Sequence, residues 1–262
     1  MFSKLTKRLF RSGDQTAKRT PTAKDFQVAR EQLDKAIRPA VFGQLGGQRP
    51  PPNNAPDNWW GGNLWSLPDE TLPVCAESGT QMVPFLQIRT NSLPHVPTAL
   101  KDTALVTLWI DPNADGLFDA KNGTGFCLRT YNSLEGLCPI SAASGSASPF
   151  PTFPVFWQSP LAEQPTWEDM VDHVSYDIAC AKDDDWFCKS PHLSPAYEHA
   201  RTTLPIKIGG WPDWIQSPDW PDEATFAFQI YSSDKGKFNY LDSGSLYLFQ
   251  TPKGWVMRGD FF

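Results

Sequence analysis

A Gly-Gly pair followed at once by tryptophans set among prolines constrains this chain more than any other feature. In the stretch Leu204 to Pro252, Gly209-Gly210 permits positive φ or close backbone approach, and Trp211, Trp214 and Trp220 then interleave with Pro212, Pro218 and Pro221. The pattern predicts an aromatic loop. Two β-type runs follow, ATFAFQIY over 224–231 and SLYLFQ over 245–250, with turn-forming residues at Ser232 to Lys237 and at Asp242-Ser243-Gly244 between them. Alternation along the first run places Phe226, Phe228 and Ile230 on one buried face.

The same order occurs earlier in the chain. Gly61-Gly62, Trp65 and Pro68 precede VPFLQI over 83–88 and ALVTLWI over 104–110, which makes an internal duplication the economical reading. Phe85 would then correspond to Phe226 or Phe228, and Ile88 to Ile230. With 25 Pro, 18 Gly, 11 Trp and 17 Phe in 262 residues, the composition favours short strands joined by stiff turns. The expected fold class is α+β and mainly β, with two pseudo-repeated antiparallel sheet elements and a few flanking helices. A single domain over 25–262 would hold two related halves, about 39–123 and 204–262, with a helical and loop insertion between them.

The segment Gly209-Gly210-Trp211-Pro212-Asp213-Trp214-Ile215-Gln216, with Gly244-Ser245-Leu246-Tyr247-Leu248-Phe249 after it, resembles the YwqG-like family of bacterial proteins of unknown function. Members of that family carry a GGxPxWIQ segment and a GxLYF strand in the second half. In the first half the match is looser, its Gly-Gly being either Gly46-Gly47 or Gly61-Gly62, and residues 1–38 and 124–203 carry no matching motif. The resemblance implies a fold. Because genes of the family are at times found beside bacterial toxin genes, it also implies a cytoplasmic immunity protein as one expected role.

Residues 1–24 form a basic leader, in which Lys4, Lys7, Arg8, Arg11, Lys18, Arg19 and Lys24 face the single acid Asp14. It contains no apolar core of a secretory signal, and the chain has no run of about 20 apolar residues to span a membrane, so a cytoplasmic location is expected. Interfacial anchoring or nucleic-acid contact is one reading of it, and a solvated, frayed leader the other. Without the leader, the chain's 23 basic and 29 acidic residues become 16 and 28, a formal charge of −12 for the body. Such a body repels nucleic acid and attracts basic partners.

Thr22 to Ile37 reads as a helix, with Thr22 as N-cap and an apolar stripe of Phe26, Ala29, Leu33 and Ile37. Arg38-Pro39 should end it, and the Pro-rich 48–57 reads as a linker. A second helix is expected over Trp167 to Ala181, and a loop over Ser141 to Pro154.

Asp111, Asn113, Asp115 and Asp119, with Gly116, match the oxygen-donor spacing of a calcium loop. Position 12 is Asn122 instead of Glu, and both flanks read as strands, so a hairpin turn without metal is the expected outcome. Cys180, Cys188, His192 and His199 have no zinc-knuckle spacing, and the five cysteines read as free thiols. No nucleophile elbow, P-loop, dinucleotide fingerprint or HExxH is present. No catalytic residue and no cofactor are expected.

Three functions of different classes follow. First comes a non-enzymatic protein that binds and neutralises a basic protein toxin such as a nuclease. Its expected docking residues are Asp183, Asp184, Asp185 and Trp186, together with Asp219, Trp220, Asp222 and Glu223, since an aromatic set in negative charge suits a cationic partner. Next is a carbohydrate or small-ligand module that stacks its ligand on Trp211, Trp214 and Trp220, although tryptophans beside Gly and Pro also serve as core plugs. Third is an enzyme with a site assembled from scattered residues.

Overall fold

The computed structural model describes residues 22–112, 117, 119–140, 148–165, 169 and 195–262. Among these, a nearly closed antiparallel sheet dominates, with two α-helices and short 3-10 turns at Thr90–Ser92 and Thr98–Leu100. Helix α1 (Ala23–Lys35) starts as the sequence predicts. Asp25 N–H donates to Thr22 Oγ1 and Thr22 N–H donates back to Asp25 Oδ2, a reciprocal cap, while Ala29 and Leu33 are buried. Helix α2 (Pro195–Thr203) precedes the second Gly-Gly segment and buries Ala200 against Ala40, Phe42 and Leu204.

The strands in chain order are β1 (Arg38–Leu45), β2 (Trp59–Trp60), β3 (Trp65–Ser66), β4 (Val83–Arg89), β5 (Leu105–Ile110), β6 (Asp119–Lys121) and β7 (Phe126–Tyr131). There follow β8 (Cys138–Pro139), β9 (Phe153–Trp157), β10 (Leu161–Glu163), β11 (Ile206–Gly209), β12 (Thr225–Tyr231), β13 (Ser245–Thr251) and β14 (Gly254–Asp260). The main sheet has 12 strands in the order β6-β14-β13-β12-β11-β1-β9-β2-β4-β5-β7, with β10 also paired to β1, and β3 and β8 form a separate pair. Outward from the central β1–β9 pair, β11, β12, β13 and β14 on one side meet β2, β4, β5 and β7 on the other in the same sequence.

The two ends of the path, β6 and β7, approach each other through a bridge between Asn122 and Phe126. The Asn122 carboxamide completes the join, with Nδ2 donating to Leu128 O at 2.9 Å and Oδ1 accepting from Leu128 N–H at 2.7 Å. Curling the sheet this way gives it an interior that residues from both ends fill, among them Val41, Trp60, Phe85, Leu108, Leu128, Ile208, Phe228, Leu248 and Met257.

Strict alternation fails in β12. Phe226 lies opposite Phe249 and Phe228 opposite Leu248, so Ala227 is an extra residue in a bulge. One added residue reverses the parity of everything before it. Phe228 and Ile230 therefore point into the interior, whereas Phe226 packs outside against Trp214, Tyr247 and Phe249, which corrects the expectation of a single face for all three. Strand β4 carries its own bulge between Pro84 and Leu86. Counted from the two buried glutamines, Gln87 opposite Thr107 and Gln229 opposite Tyr247, Ile88 stands where Ile230 does, but Leu86 stands where Phe228 does. Phe85 takes the place of Ala227, and neither Phe226 nor Phe228 is its counterpart.

Further corrections concern β1, β9 and β14. The helix does end before Arg38-Pro39, and those residues open the central strand, while the Pro-rich 48–57 carries neither helix nor strand, as expected of a linker. Phe153 and Pro154, expected in a loop, begin β9. Past Thr251 the chain turns back through Pro252-Lys253 into β14. The helix predicted over Trp167 to Ala181 lies outside the described residues except for Asp169. No helix among the described residues is long and apolar enough to cross a membrane.

Candidate functional site

Gly61-Gly62 and Gly209-Gly210 each end a strand in the left-handed region, with φ of 63° and 75° in the first pair and of 68° and 69° in the second. The backbone turns sharply there and returns across the outer face of the sheet. In both places a fully buried glutamine on the next strand receives it. Gln87 Oε1 accepts from Trp65 N–H at 2.7 Å, and Gln229 Oε1 accepts from Asp213 N–H at 2.9 Å.

Beneath the second loop lies a framework of buried polar groups. Lys207, with 0% of its surface exposed, donates to Glu163 Oε1 at 2.9 Å and to Trp211 O at 2.6 Å, and Glu163 Oε2 accepts from Trp211 N–H at 2.8 Å. A Cβ at Gly210 would stand 1.7 Å from that same carboxylate oxygen, so only glycine admits the contact. Arg38 stacks on Trp211 with its guanidinium carbon 3.5 Å from the ring centroid. Burial pulls the Arg38 pKa down, and the carboxylates of Asp169 and Glu163 work against that.

Asp169 holds two indoles at once, accepting from Trp220 Nε1 at 2.6 Å and from Trp214 Nε1 at 3.0 Å. Trp214 in turn lies flat over Phe249, and Trp220 meets the same ring edge-on. Asp260 Oδ2 accepts from Ile215 N–H at 2.9 Å and Gln216 N–H at 3.2 Å. The Tyr247 hydroxyl lies 2.6 Å from Asp260 Oδ1 and 2.9 Å from Asp213 O. Burial raises the Asp260 pKa, reinforced by the nearby Asp213 charge and opposed by the hydrogen bonds it accepts. The Tyr247 pKa is also raised, by burial first and then by Asp260. A proton on Asp260 Oδ1 would satisfy the whole chain, since Asp260 would donate to Tyr247 and Tyr247 to Asp213 O.

This arrangement predicts a pH effect with a definite sign. A carboxyl whose pKa is raised by folding binds its proton more tightly in the folded chain, so its contribution rises as pH falls through the folded value and is complete below the unfolded one. Asp260→Asn keeps an acceptor for the two amides and supplies a donor to Tyr247 without charge. In urea titrations between pH 4 and pH 9 the variant should gain on the wild type as pH rises. Asp260→Ala, which leaves two amides without their acceptor and the Tyr247 hydroxyl without its carboxyl partner, should cost about 2–4 kcal/mol at pH 4 and less as pH rises. An Asn variant that loses stability relative to the wild type as pH rises would contradict the assignment.

Of the expected docking residues, Asp219, Asp222 and Glu223 are exposed on the outer turn of the loop, and Trp220 is half-buried with its indole N–H on Asp169. Asp219 Oδ2 lies 2.9 Å from Arg258 Nε, and Arg258 also pairs with Asp119. Asp183, Asp184, Asp185 and Trp186 lie outside the described residues. Trp211 and Trp214 do not form a stacking platform for sugars, being only 5% and 6% exposed. They are plugs under the loop.

The calcium-type residues are not brought together as far as they are described. Asp111 is buried and accepts from Ser78 Oγ at 2.6 Å, while Asp119 sits on β6 facing Arg258. Asn113 and Asp115 lie outside the described residues, as do Cys180, Cys188 and His192. Among the described residues no cluster of three or more His, Cys, Asp or Glu could hold a metal ion. Cys75, Cys127 and Cys138 are free thiols.

Sequence reasoning missed Glu163, Asp169, Lys207 and Asp260. Only Lys207, set between Ile206 and Ile208 directly before Gly-Gly, carried a signal: a strand whose outward position is roofed by the following loop buries whatever stands there. Beside this framework, between the end of α2 and the turns that follow β12, opens a cavity of about 810 Å³ lined by Arg201, Asp213, Tyr231, Ser232, Ser243 and Ser245 among others. No protein-family model matches the chain, and no curated protein matches it.

Proposed function

We propose that this is a non-enzymatic binding protein that neutralises a basic protein partner of the bacterial-toxin type, acting in the cytoplasm. The observation that carries the reading is the loop from Trp211 to Glu223. Buried carboxylates and a buried glutamine hold it from beneath, and it presents Asp219, Asp222 and Glu223 outward. A loop already ordered before binding loses little entropy on contact. The charge of −12 on the body adds steering of a cationic partner, and the resemblance of GGWPDWIQ to YwqG-like proteins supports the same role. Trp220 serves in this account as the stiff floor under the carboxylates rather than as a plug that enters the partner.

The reading takes the fold as an internal duplication. Support comes from the matching strand order on either side of β1–β9, from the two left-handed Gly-Gly pairs, and from the two glutamines that receive the returning loops. In each copy the first strand, β1 or β9, crosses to pair with the second strand of the other, β11 or β2.

Co-expression with the product of the gene immediately upstream tests the function. Growth rescue and co-purification are expected, with association slowed about tenfold or more by raising salt from 50 mM to 500 mM, because steering is screened over about a Debye length. If the chain neither rescues growth nor co-purifies, the reading falls.

A further inference from the structure

The two halves differ at one place that the register makes comparable. Two rungs beyond the buried glutamine, Arg89 faces Leu105 in the first half and Tyr231 faces Ser245 in the second, and the loop residue bonded to the glutamine is Trp65 in one and Asp213 in the other. In the first half Trp65 and Leu105 join Tyr131 and Leu137 in a buried apolar cluster. Its remaining opening, around Leu67, Asp102 and Asn132, has about 440 Å³. In the second half the corresponding Asp213, Tyr231 and Ser245 line the cavity of about 810 Å³. A plug of Trp and Leu is thus available to this fold, and the second half has polar walls and open volume in its place.

We propose that this cavity binds a small, neutral, polyhydroxylated ligand of mono- to disaccharide size, at the base of the docking loop and apart from its exposed carboxylates Asp219, Asp222 and Glu223. The volume falls within the range of about 300–1,000 Å³ usual for ligand pockets. Its walls are rich in hydroxyls, from Tyr231, Ser232, Ser243 and Ser245. On the floor, Asp213 is 5% exposed, and its Oδ2 accepts from Arg201 Nε at 2.5 Å and from the Tyr231 hydroxyl at 3.3 Å. Donors and acceptors therefore alternate at fixed positions, which is what a ring of hydroxyl groups requires. The Arg201 charge is paired with Asp213, and the lining adds one further residue of each sign, Asp234 and Lys235, the latter with its ammonium on Leu45 O, so neither a net anion nor a net cation is favoured by the count of charges. Phe262, 78% exposed at the mouth, offers an aromatic face to the apolar side of a sugar ring.

The test is saturation-transfer NMR and titration of the full chain with glucose, galactose, N-acetylglucosamine, maltose and sucrose, with inorganic phosphate as the charged comparison. Two variants obstruct or alter the cavity, Thr202→Trp on the exposed last turn of α2 and Arg201→Gln on its wall. Asn132→Trp obstructs the smaller opening of the first half instead. At least one sugar should bind, weakened about tenfold or more in both cavity variants and unchanged in Asn132→Trp, with thermal midpoints confirming that each variant folds. The inference is overturned if no sugar on the panel binds, if all three variants respond alike, or if phosphate binds more tightly than every sugar with the same pattern of losses.

Discussion

Glu163→Ala should destabilise the protein by about 3–5 kcal/mol, because it strands a lysine ammonium in the interior. Lys207 has no exposed surface, and its remaining partner would be the Trp211 carbonyl, while the Trp211 amide would lose its acceptor as well. Urea denaturation at neutral pH measures the loss. Replacing both members, Glu163→Leu with Lys207→Met, removes the buried charges together and should recover most of the stability, since an apolar pair of similar volume needs no compensation. The Trp211 amide stays unsatisfied in the double variant, so a residual deficit of about 1–2 kcal/mol is expected. A loss below 1 kcal/mol for Glu163→Ala alone would mean that water reaches Lys207 and that the loop is not sealed over it.

Phe228→Ala should cost about 3–5 kcal/mol, the usual penalty for emptying a buried aromatic site. Phe228 has no exposed surface and points into the barrel interior beside Leu248, whereas Phe226 packs outside with Phe249 at a ring separation of 5.5 Å. Because the bulge at Ala227 puts the two phenylalanines on opposite faces, their Ala substitutions should add to within about 0.5 kcal/mol. Phe226→Ala and Phe249→Ala share a contact and should not add. Simple alternation forecasts strong coupling between 226 and 228, so a double-mutant cycle separates the two arrangements.

Much of the β character was legible, and the physical reasons are local. Thr225 to Tyr231, Ser245 to Thr251, Val83 to Arg89 and Leu105 to Ile110 are β-branched and aromatic runs bounded by turn residues, and all four are strands. Thr22 with Asp25 announced the start of α1. The bulges were hidden, because Ala227 and Phe85 look like ordinary strand residues and an inserted residue shows only against its partner strand. Pro39 concealed β1, since a proline after a helix usually marks a loop, yet here it stands one residue before the β11 ladder begins at Ala40.

The site was less legible for a different reason. Asp219, Trp220, Asp222 and Glu223 were visible as an acidic, aromatic cluster, but what stiffens them comes from Glu163, Asp169 and Asp260, at separations of 44 or more residues from the loop groups they hold. Such contacts leave no trace in spacing. Asn122 shows the converse: as position 12 of a calcium pattern it looked like a defect, whereas its carboxamide closes the sheet across Leu128.

Rigidity of the docking loop underlies the functional account, and amide hydrogen exchange reads it directly. The N–H groups of Trp211, Asp213, Ile215 and Gln216 all donate to buried side chains on other elements, Glu163, Gln229 and Asp260. Despite lying in a loop, these amides should exchange only through global unfolding, with the same free energy as the ladder amides of β12 and β13. Exchange at the rate of freely exposed amides would show the loop opening on its own, and the proposal of a preformed acidic docking surface would be contradicted.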